Sequence, residues 1–484
     1  MAYRSEMPAP HVILILSDEH RGQAMSHAGD PNLRTPQLDR LAAEGVSLGR
    51  AYSNCPVCTP SRGTIFSGRH AHASPVSGFF DVYSATAPSL ATEFKAAGYR
   101  TAFFGKWHCG VVKDQLPPAV REQPDRFPGG SRQRTPERHR AGFEDWCAFE
   151  SHNRHFDVSV YRDDATEPER IEGYETDVLV DEAIRYLQNP RDERPIFLVL
   201  SVTPPHFPLD APDEFRRHDP ATLELRPNVI EHPDPPGAAN NPAPWLNPDQ
   251  PWAPPDIREA LASYYAMIEN LDHGIGRLMD VVTPESLLCY ISDHGEFLGS
   301  HGLCERKMHP HEESVRVPMI FYAPGRIPPQ GYQTRGLAGL VDIAPTLLGL
   351  CNLPAPPWMQ GKDLAAFVRG SDLVSQEVQL LEMHNPPRFN LDYVEWRGFV
   401  THRYKYAYYE TGTELLFDLE QDPYELHNLA DDASDLLPAM RQQLLGLLRE
   451  TREPFFDVLM EHGVACRPSR NVSGADYRVL SVRG

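Results

Sequence analysis

Four short apolar runs set the strongest limit on how this chain can fold, because polar residues do not interrupt them and each leads to a charged or titratable side chain. His11-Val12-Ile13-Leu14-Ile15-Leu16-Ser17 is followed by Asp18 and Glu19, and Thr101 to Phe104 leads into Lys106. Pro195 to Ser201 leads to His206, and Ser286 to Ser292 leads to Asp293. An apolar run of this length without alternation is the pattern of a parallel strand covered on both faces. Helical segments lie between the runs. Thr35 to Gly45 reads as a helix with Thr35 as N-cap, Pro36 at its first position and Gly45 as terminator. Ser89 to Gly98 is a second capped helix, and longer helical stretches, about Thr176 to Leu187 and Asp256 to Val282, precede the third and fourth runs. The alternation predicts an α/β fold: a large mixed, mostly parallel sheet sandwiched by helices. Ligands of such sheets bind at the carboxyl ends of the strands, so Asp18, Lys106, His206 and Asp293 are expected around one crevice.

The character changes after Leu364. Val378 to Met383, Trp396 to Tyr409 and Glu414 to Leu419 read as antiparallel strands, and Leu436 to Leu448 as an amphipathic helix. A chain of 484 residues exceeds the usual limit of one core, so the expected division is a catalytic α/β domain, 1–374, and a smaller C-terminal α+β domain, 375–484, containing an antiparallel sheet. The 47 prolines are dispersed, which predicts extensive loops. Pro208 to Pro255 is expected to be a long irregular loop over the catalytic edge.

Charge narrows the function. The net charge of −21 repels nucleic acid and anionic membranes, so any anionic substrate must be drawn in by local positive charge. Met1 to Arg21 lacks a secretory pattern and no run has the apolar length to cross a bilayer, from which a soluble, cytoplasmic protein is expected. The 8 cysteines, several inside apolar runs, read as buried thiols and not as a disulfide framework.

The segment Cys58-Thr59-Pro60-Ser61-Arg62-Gly63-Thr64-Ile65-Phe66-Ser67-Gly68 is the most specific motif. Against it stand two plainer readings: an ordinary buried thiol, or a redox or zinc Cys-x-x-C pair of Cys55 and Cys58. Neither finds support, since no second cysteine or histidine pair has the spacing of a closed zinc site. The motif resembles the signature of formylglycine-dependent (type I) sulfatases of the alkaline phosphatase superfamily, in which the cysteine of Cys-x-Pro-x-Arg is oxidised by a separate enzyme. Further segments resemble the same family in order: Ser17-Asp18-Glu19, Gly105-Lys106-Trp107-His108, Pro204-Pro205-His206-Phe207-Pro208, Ser292-Asp293-His294-Gly295-Glu296, Glu312 to Pro318, and Leu416 to Leu429. The last is read as structural.

The chemistry of a sulfate ester accounts for these residue types. Its hydrolysis needs a nucleophile, charge neutralisation and protonation of the departing alkoxide. Asp18, Glu19, Asp293 and His294 offer three carboxylates and an imidazole for a divalent cation, with residue 58 beside them. Arg62 and Lys106 would bind the nucleophile and the sulfate oxygens. The resemblance implies that one hydroxyl of hydrated formylglycine attacks sulfur, and that the hemiacetal then expels sulfate. By similarity, His108 is the base of that second half and His206 the acid for the leaving group. The late basic position falls on Lys307 or the adjacent Arg306. Lys307 is preferred because its compact ammonium can approach a sulfate oxygen and a leaving oxygen together.

Two positions depart from the family pattern. Glu19 stands where aspartate is usual, which puts its reach to the metal in doubt, and His294 replaces the asparagine of many members. Ca²⁺ is the expected ion, with Mg²⁺ and Mn²⁺ as alternatives. Expected partners are a small-molecule or carbohydrate sulfate ester and a formylglycine-generating enzyme during maturation, with homo-oligomerisation left open. The rival reading is a phosphonate monoester or phosphodiester hydrolase of the same superfamily, which the Lys106–His108 pair disfavours. A second rival is a non-catalytic binding protein with unmodified Cys58.

Overall fold

The computed structural model describes residues 9–78, 81–110, 134–231, 256–303, 307–371, 376–384, 394–432 and 435–464. The four apolar runs form adjacent strands at the centre of a ten-stranded sheet. In chain order the strands are β1 (Val12–Ser17), β2 (Val46–Leu48), β3 (Ala51–Tyr52), β4 (Arg100–Lys106), β5 (Asp145–Phe149), β6 (Val158–Arg162), β7 (Glu169–Ile171), β8 (Ile196–Ser201), β9 (Leu287–Ser292), β10 (Met319–Tyr322), β11 (Gly331–Gln333) and β12 (Ala338–Gly339). Their order across the large sheet is β11-β2-β10-β9-β1-β8-β4-β5-β6-β7. The five strands from β9 to β5 are parallel, and the antiparallel pairings lie toward the edges. Register aligns the strand ends: Ser17 lies beside Ser292, Leu16 beside Ser201, and Gly105 beside Ser201. Asp18, Asp293, Lys106 and His206 thus leave the sheet at one edge.

Alternate residues of each central strand feed two separate cores, which is why the runs carry no polar positions. Val12, Leu14 and Leu16 pack with helices α2 (Cys58–Ser67) and α3 (Leu90–Ala96) on one face, whereas Ile13 and Ile15 pack with α1 (Pro36–Glu44) on the other. Helices α4 (Glu175–Gln188) and α5 (Ile257–Met279) complete the second face, and α6 (Ile343–Leu350) the first. Among the described residues no helix is long and apolar enough to cross a membrane, and the described cysteines are free thiols.

The late strands form a separate antiparallel sheet, β13 (Val378–Met383), β14 (Trp396–Thr401), β15 (Tyr404–Tyr409) and β16 (Glu414–Asp418). The single run expected from Trp396 to Tyr409 is two strands joined by a tight turn at His402 and Arg403. One face carries Leu380, Phe399, Tyr406 and Leu416 against α7 (Leu437–Thr451) and α8 (Phe455–Glu461). The other carries Leu381, Val400 and Phe417 against Tyr52, Val57 and Val315 beside the active site. Of the loop expected from Pro208 to Pro255, residues 208–231 carry two single 3-10 turns and one isolated bridge from Val229 to Ser300, and residues 232–255 lie outside the described residues.

The expected N-cap of α1 is corrected. Thr35 makes no side-chain cap. Its hydroxyl instead accepts from Ser26 N–H at 3.0 Å, while the first amides of α1, Gln37 and Leu38, donate to Asp272 of α5 at 3.1 and 2.8 Å. A carboxylate 234 residues away in sequence supplies the cap, a partner that local cap rules cannot see. Burial pushes the Asp272 carboxyl up to about 7, against the pull of those two amides. The raised folded value means that its contribution to stability is complete below the ordinary carboxylate range and is lost as pH rises through about 7. Asp272→Asn, which keeps an acceptor oxygen without the charge, should therefore gain thermal stability relative to the wild type between pH 5 and 8. Melting curves at the two pH values check this, and a difference that stays flat would contradict it.

Candidate active site

Cys58 opens α2, so its side chain sits at the helix N-terminus, where unpaired amides and the helix dipole favour an anion. All ten residues of α2 are buried. Arg62 stands one turn further on, on the same face, and turns the spacing of the motif into geometry. Its Nε donates to Asp293 Oδ2 at 3.0 Å and its Nη2 to Asp18 Oδ2 at 3.2 Å. Nη1 is held by the Lys106 carbonyl at 2.7 Å and the Ser201 hydroxyl at 2.8 Å. Arg62 is thus occupied in binding two carboxylates on adjacent strands. The Asp293 carbonyl in turn accepts from the hydroxyls of Ser53 and Ser61, each at 2.6 Å, which ties α2 to the end of β9.

Around the Cys58 sulfur, His294 Nε2 lies at 3.1 Å, Lys307 Nζ at 3.4 Å and Asp18 Oδ1 at 3.6 Å. Asp18, Cys58, Asp293 and His294 each present one ligand atom, all within 4.8 Å of one another. This donor set fits a divalent cation: two carboxylates, one imidazole and position 58 converge in a buried pocket. His294 is oriented for it, since Nδ1 donates to the Gly295 carbonyl at 3.0 Å and leaves the Nε2 lone pair facing the group. Burial, the largest effect, lowers the affinity of this imidazole for a proton, but Asp293 and Cys58 together outweigh it and raise the pKa to about 9, so a positive charge is favoured at Nε2. Burial likewise opposes ionisation of Asp18, yet Lys106, His206 and Arg62 hold its carboxyl well below the ordinary range.

Lys106 Nζ contacts Asp18 Oδ2 at 2.6 Å. Gly105 allows this approach: its φ is +98°, and a Cβ there would lie 1.8 Å from the Ser201 carbonyl oxygen. Gly295 is similarly enforced, with the Glu313 carbonyl oxygen 2.0 Å from a built Cβ. Trp107 is fully buried and stacks on Phe66 of α2 at 5.2 Å, which locks the Lys106–His108 segment against the nucleophile helix. His108 is held by its amide on the Glu150 carbonyl at 2.7 Å. Burial, then Lys106 and Arg62, depress its pKa strongly, so it is neutral at pH 7.

Glu19 occupies the other side of the pocket. Its Oε1 pairs with Lys307 and lies 3.2 Å from His206 Nε2, and its Oε2 makes no hydrogen bond. Glu19 is absent from the group of four around Cys58 and forms a group with Asp18 and His206. Lys307 Nζ also meets His206 Nε2 at 3.2 Å, so Glu19, His206 and Lys307 make one cluster facing position 58. Arg306 lies outside the described residues.

Several supporting residues had no signal in the sequence. Glu175 Oε1 accepts from Thr203 N–H at 2.6 Å, its Oε2 lies 3.6 Å from His155 Nδ1, and His155 Nε2 donates to the His206 carbonyl at 2.9 Å. The 203–206 turn that carries His206 thus rests on a buried Glu–His pair. Tyr264 of α5 donates to the Glu19 carbonyl at 2.7 Å and accepts from Arg21 N–H at 2.9 Å, bracing Glu19 at φ +68°. Glu175 gave no such signal because it opens its helix, where a carboxylate is an ordinary first-turn residue.

The fold and the site together define a metal-binding hydrolase of the alkaline phosphatase superfamily. The chain belongs to the sulfatase family: residues 10–353 match the family model described as Sulfatase, and residues 299–452 match the N-sulphoglucosamine sulphohydrolase C-terminal model. It is a sulfate ester hydrolase. A Formosa agariphila ulvan-active sulfatase is 31% identical over 439 residues, covering 88% of this chain and 78% of the relative. Among solved structures, a Bacteroides thetaiotaomicron sulfatase from a locus for the metabolism of multiple glycosaminoglycans is 24% identical, with a TM-score of 0.79 and coverage of 95% and 100%. The phosphonate monoester hydrolase of Agrobacterium radiobacter shares the fold at 22% identity and a TM-score of 0.69, covering 92% and 95%.

Replacing Glu175 by alanine should lower kcat/KM by about 10- to 100-fold, the range typical of partners that orient site residues from behind, with part of the loss recovered in Glu175→Gln. Unchanged kinetics in a folded Glu175→Ala protein would mean that the His206 turn holds its position without this support.

Proposed function

We propose that this sulfatase cleaves the sulfate ester of a carbohydrate, with a formylglycine made from Cys58 and one calcium ion in the site around it. The observation that carries the reading is the setting of Cys58, whose Sγ stands where the hydroxyls of the hydrated aldehyde would be. It faces His294, Lys307 and Asp18 at 3.1 to 3.6 Å from a helix N-terminus. When present, the hydrated aldehyde supplies a hydroxyl for attack on sulfur and a second one for release of sulfate. When bound, the cation would offset charge at a sulfate oxygen and lower the pKa of the attacking hydroxyl. Asp18, Asp293 and His294 would hold it, and an oxygen-rich set that leaves positions for substrate suits calcium.

The chain's own residues divide the remaining work. Lys106 and Lys307 bind sulfate oxygens from two sides and offset the acidic character of the whole molecule. Lys307 Nζ and His206 Nε2, 3.2 Å apart, share the proton given to the departing oxygen, and Glu19 orients both. Neutral His108 accepts a proton in the second half of the cycle, a role for which its depressed pKa prepares it. Arg62 holds the metal carboxylates in place. The carbohydrate assignment draws on the relatives, one ulvan-active and one from a glycosaminoglycan locus. At 2% exposure Cys58 is inaccessible in the folded chain, so a formylglycine-generating enzyme would act before the segment folds.

Mass spectrometry of the Cys58 peptide from active protein should show a residue about 18 Da lighter than cysteine, from exchange of sulfur and hydrogens for an aldehyde oxygen. Unmodified thiol in active protein would end the formylglycine assignment. Cys58→Ala should lower kcat at least ~1,000-fold while thermal stability is retained. A panel of sulfated saccharides, an aryl sulfate and an aryl phosphodiester separates the readings: saccharide sulfate should be turned over fastest, and a wide preference for the diester would favour the phosphonate-type chemistry.

A further inference from the structure

A second group of metal-ligating side chains lies where the turn after α2 meets the edge of the C-terminal sheet. His72 sits in the 3-10 turn Ala71–Ala73, Glu382 lies on edge strand β13, His384 follows that strand, and Glu453 follows α7. Each offers one ligand atom, and the four atoms all lie within 4.8 Å of one another. Side-chain exposure is 5% for His72, 11% for His384 and 0% for both glutamates, so the group is closed to bulk water.

The two glutamates are compensated unequally. Among the described residues Glu453 pairs with the Arg397 guanidinium at 2.8 Å, whereas Glu382 is faced only by the imidazoles of His72 and His384. The Glu382 side chain is 0% exposed, and buried charge persists only when it is compensated. Protons on both imidazoles or one divalent cation would each supply the balance.

We propose that this group is a second divalent-cation site, of zinc class, in which His72 Nδ1, His384 Nε2 and one oxygen each from Glu382 and Glu453 hold the ion. Two imidazoles and two carboxylates in a closed pocket suit zinc better than calcium. Zinc's bond lengths give a tetrahedron with an edge of about 3.3 Å. The separations bracket it: His72 to Glu382 is 2.8 Å, His384 to Glu382 3.1 Å and His384 to Glu453 3.9 Å. His72 has the orientation of a metal-bound histidine, because Nε2 donates to the Thr451 carbonyl at 3.1 Å and leaves the Nδ1 lone pair turned toward Glu382. Glu453 is fixed from behind, its Oε2 accepting from Phe455 N–H at 2.6 Å.

His384 is where the ion and the proton compete. Arg397 Nη2 lies 3.0 Å from Nδ1, so in this geometry Nδ1 accepts and Nε2 carries the hydrogen. Ligation through Nε2 moves that hydrogen to Nδ1 and turns Arg397 fully onto Glu395 and Glu453, which it already touches. The ion would clamp the chain that leaves the nucleophile helix to the C-terminal sheet, with its effect on the stability of that junction.

The test uses full-length Asp18→Asn/Asp293→Asn protein, in which the site around Cys58 is disabled. After chelation, incubation with zinc alone and gel filtration, elemental analysis should find one zinc per chain, with a raised melting temperature. Adding His72→Gln or His384→Gln should weaken binding at least about tenfold. Failure of the double variant to bind zinc, or binding that ignores both histidine substitutions, as with adventitious surface sites, would overturn the proposal. Should any of these variants not fold, cobalt added to calcium-saturated wild-type protein decides: an intense visible spectrum of four-coordinate cobalt supports the site, and a weak six-coordinate spectrum refutes it.

Discussion

The arrangement at residue 58 depends on one buried guanidinium. Asp18 and Asp293 end neighbouring parallel strands, and the register that aligns Ser17 with Ser292 forces their carboxylates together with no solvent between them. Unpaired, two such charges would repel each other and resist burial. Arg62 spans them, and Lys106 adds a second positive charge on Asp18. Buried ion pairs of this kind add little net stability, but they fix geometry, since removal of one partner leaves a desolvated charge. Because Cys58 and Arg62 lie one helical turn apart on α2, the guanidinium that organises the carboxylates also places residue 58 over them.

The loops that complete the pocket are held in conformations the chain would not adopt unaided. Glu19 and His108 both have left-handed backbone, at φ +68° and +53°, and each such position costs on the order of 1 kcal/mol or more. The surroundings impose them: Tyr264 grips the Glu19 carbonyl, and the Glu150 carbonyl takes the His108 amide. Glycine serves the same end at Gly105 and Gly295, where any side chain would strike a neighbouring carbonyl. The glycines of the Gly-Lys-Trp-His and Asp-His-Gly segments are therefore there for close packing against Ser201 and Glu313.

How far the sequence revealed this depends on how local each signal is. The central strands and the helices between them were legible because two-sided burial writes itself as an unbroken apolar run, and because Ser89 and Asp256 cap their helices through amides two or three residues away. The edge strands β2, β6, β7 and β11 were not, being short and partly polar, with pairing decided by distant partners. Thr35 misled for the same reason, since Asp272 reaches the start of α1 from another helix. At the site, Asp18, Asp293, His294 and Cys58 come together as the strand ends implied. Glu19, whose reach to the metal was in doubt, meets Lys307 and His206 and groups with Asp18 and His206, apart from the four residues around Cys58. Arg62, expected at the nucleophile and the sulfate oxygens, directs four hydrogen bonds to Asp293, Asp18, the Lys106 carbonyl and the Ser201 hydroxyl, an engagement that only coordinates reveal.

The C-terminal sheet takes part in the site through the position of Lys307. Trp396 of β14 donates its indole N–H to the Met308 carbonyl at 2.6 Å, and the Tyr409 hydroxyl of β15 meets His309 Nδ1 at 3.1 Å. Lys405 pairs with Glu312 at 2.8 Å and with Glu425 at 2.7 Å, and Glu425 also accepts from Glu312 N–H at 2.7 Å. Two strands of a sheet more than 80 residues downstream thus grip the segment immediately after Lys307. This explains the late Leu416 to Leu429 motif in structural terms: Glu425 anchors the loop, and Asn428 Oδ1 accepts from Leu416 N–H at 2.9 Å to hold the motif on its own strand. The lysine proposed to approach both a sulfate oxygen and a leaving oxygen is thus held on a tethered segment. The sheet is consequently as much a part of the anion pocket as the strand ends that supply its carboxylates.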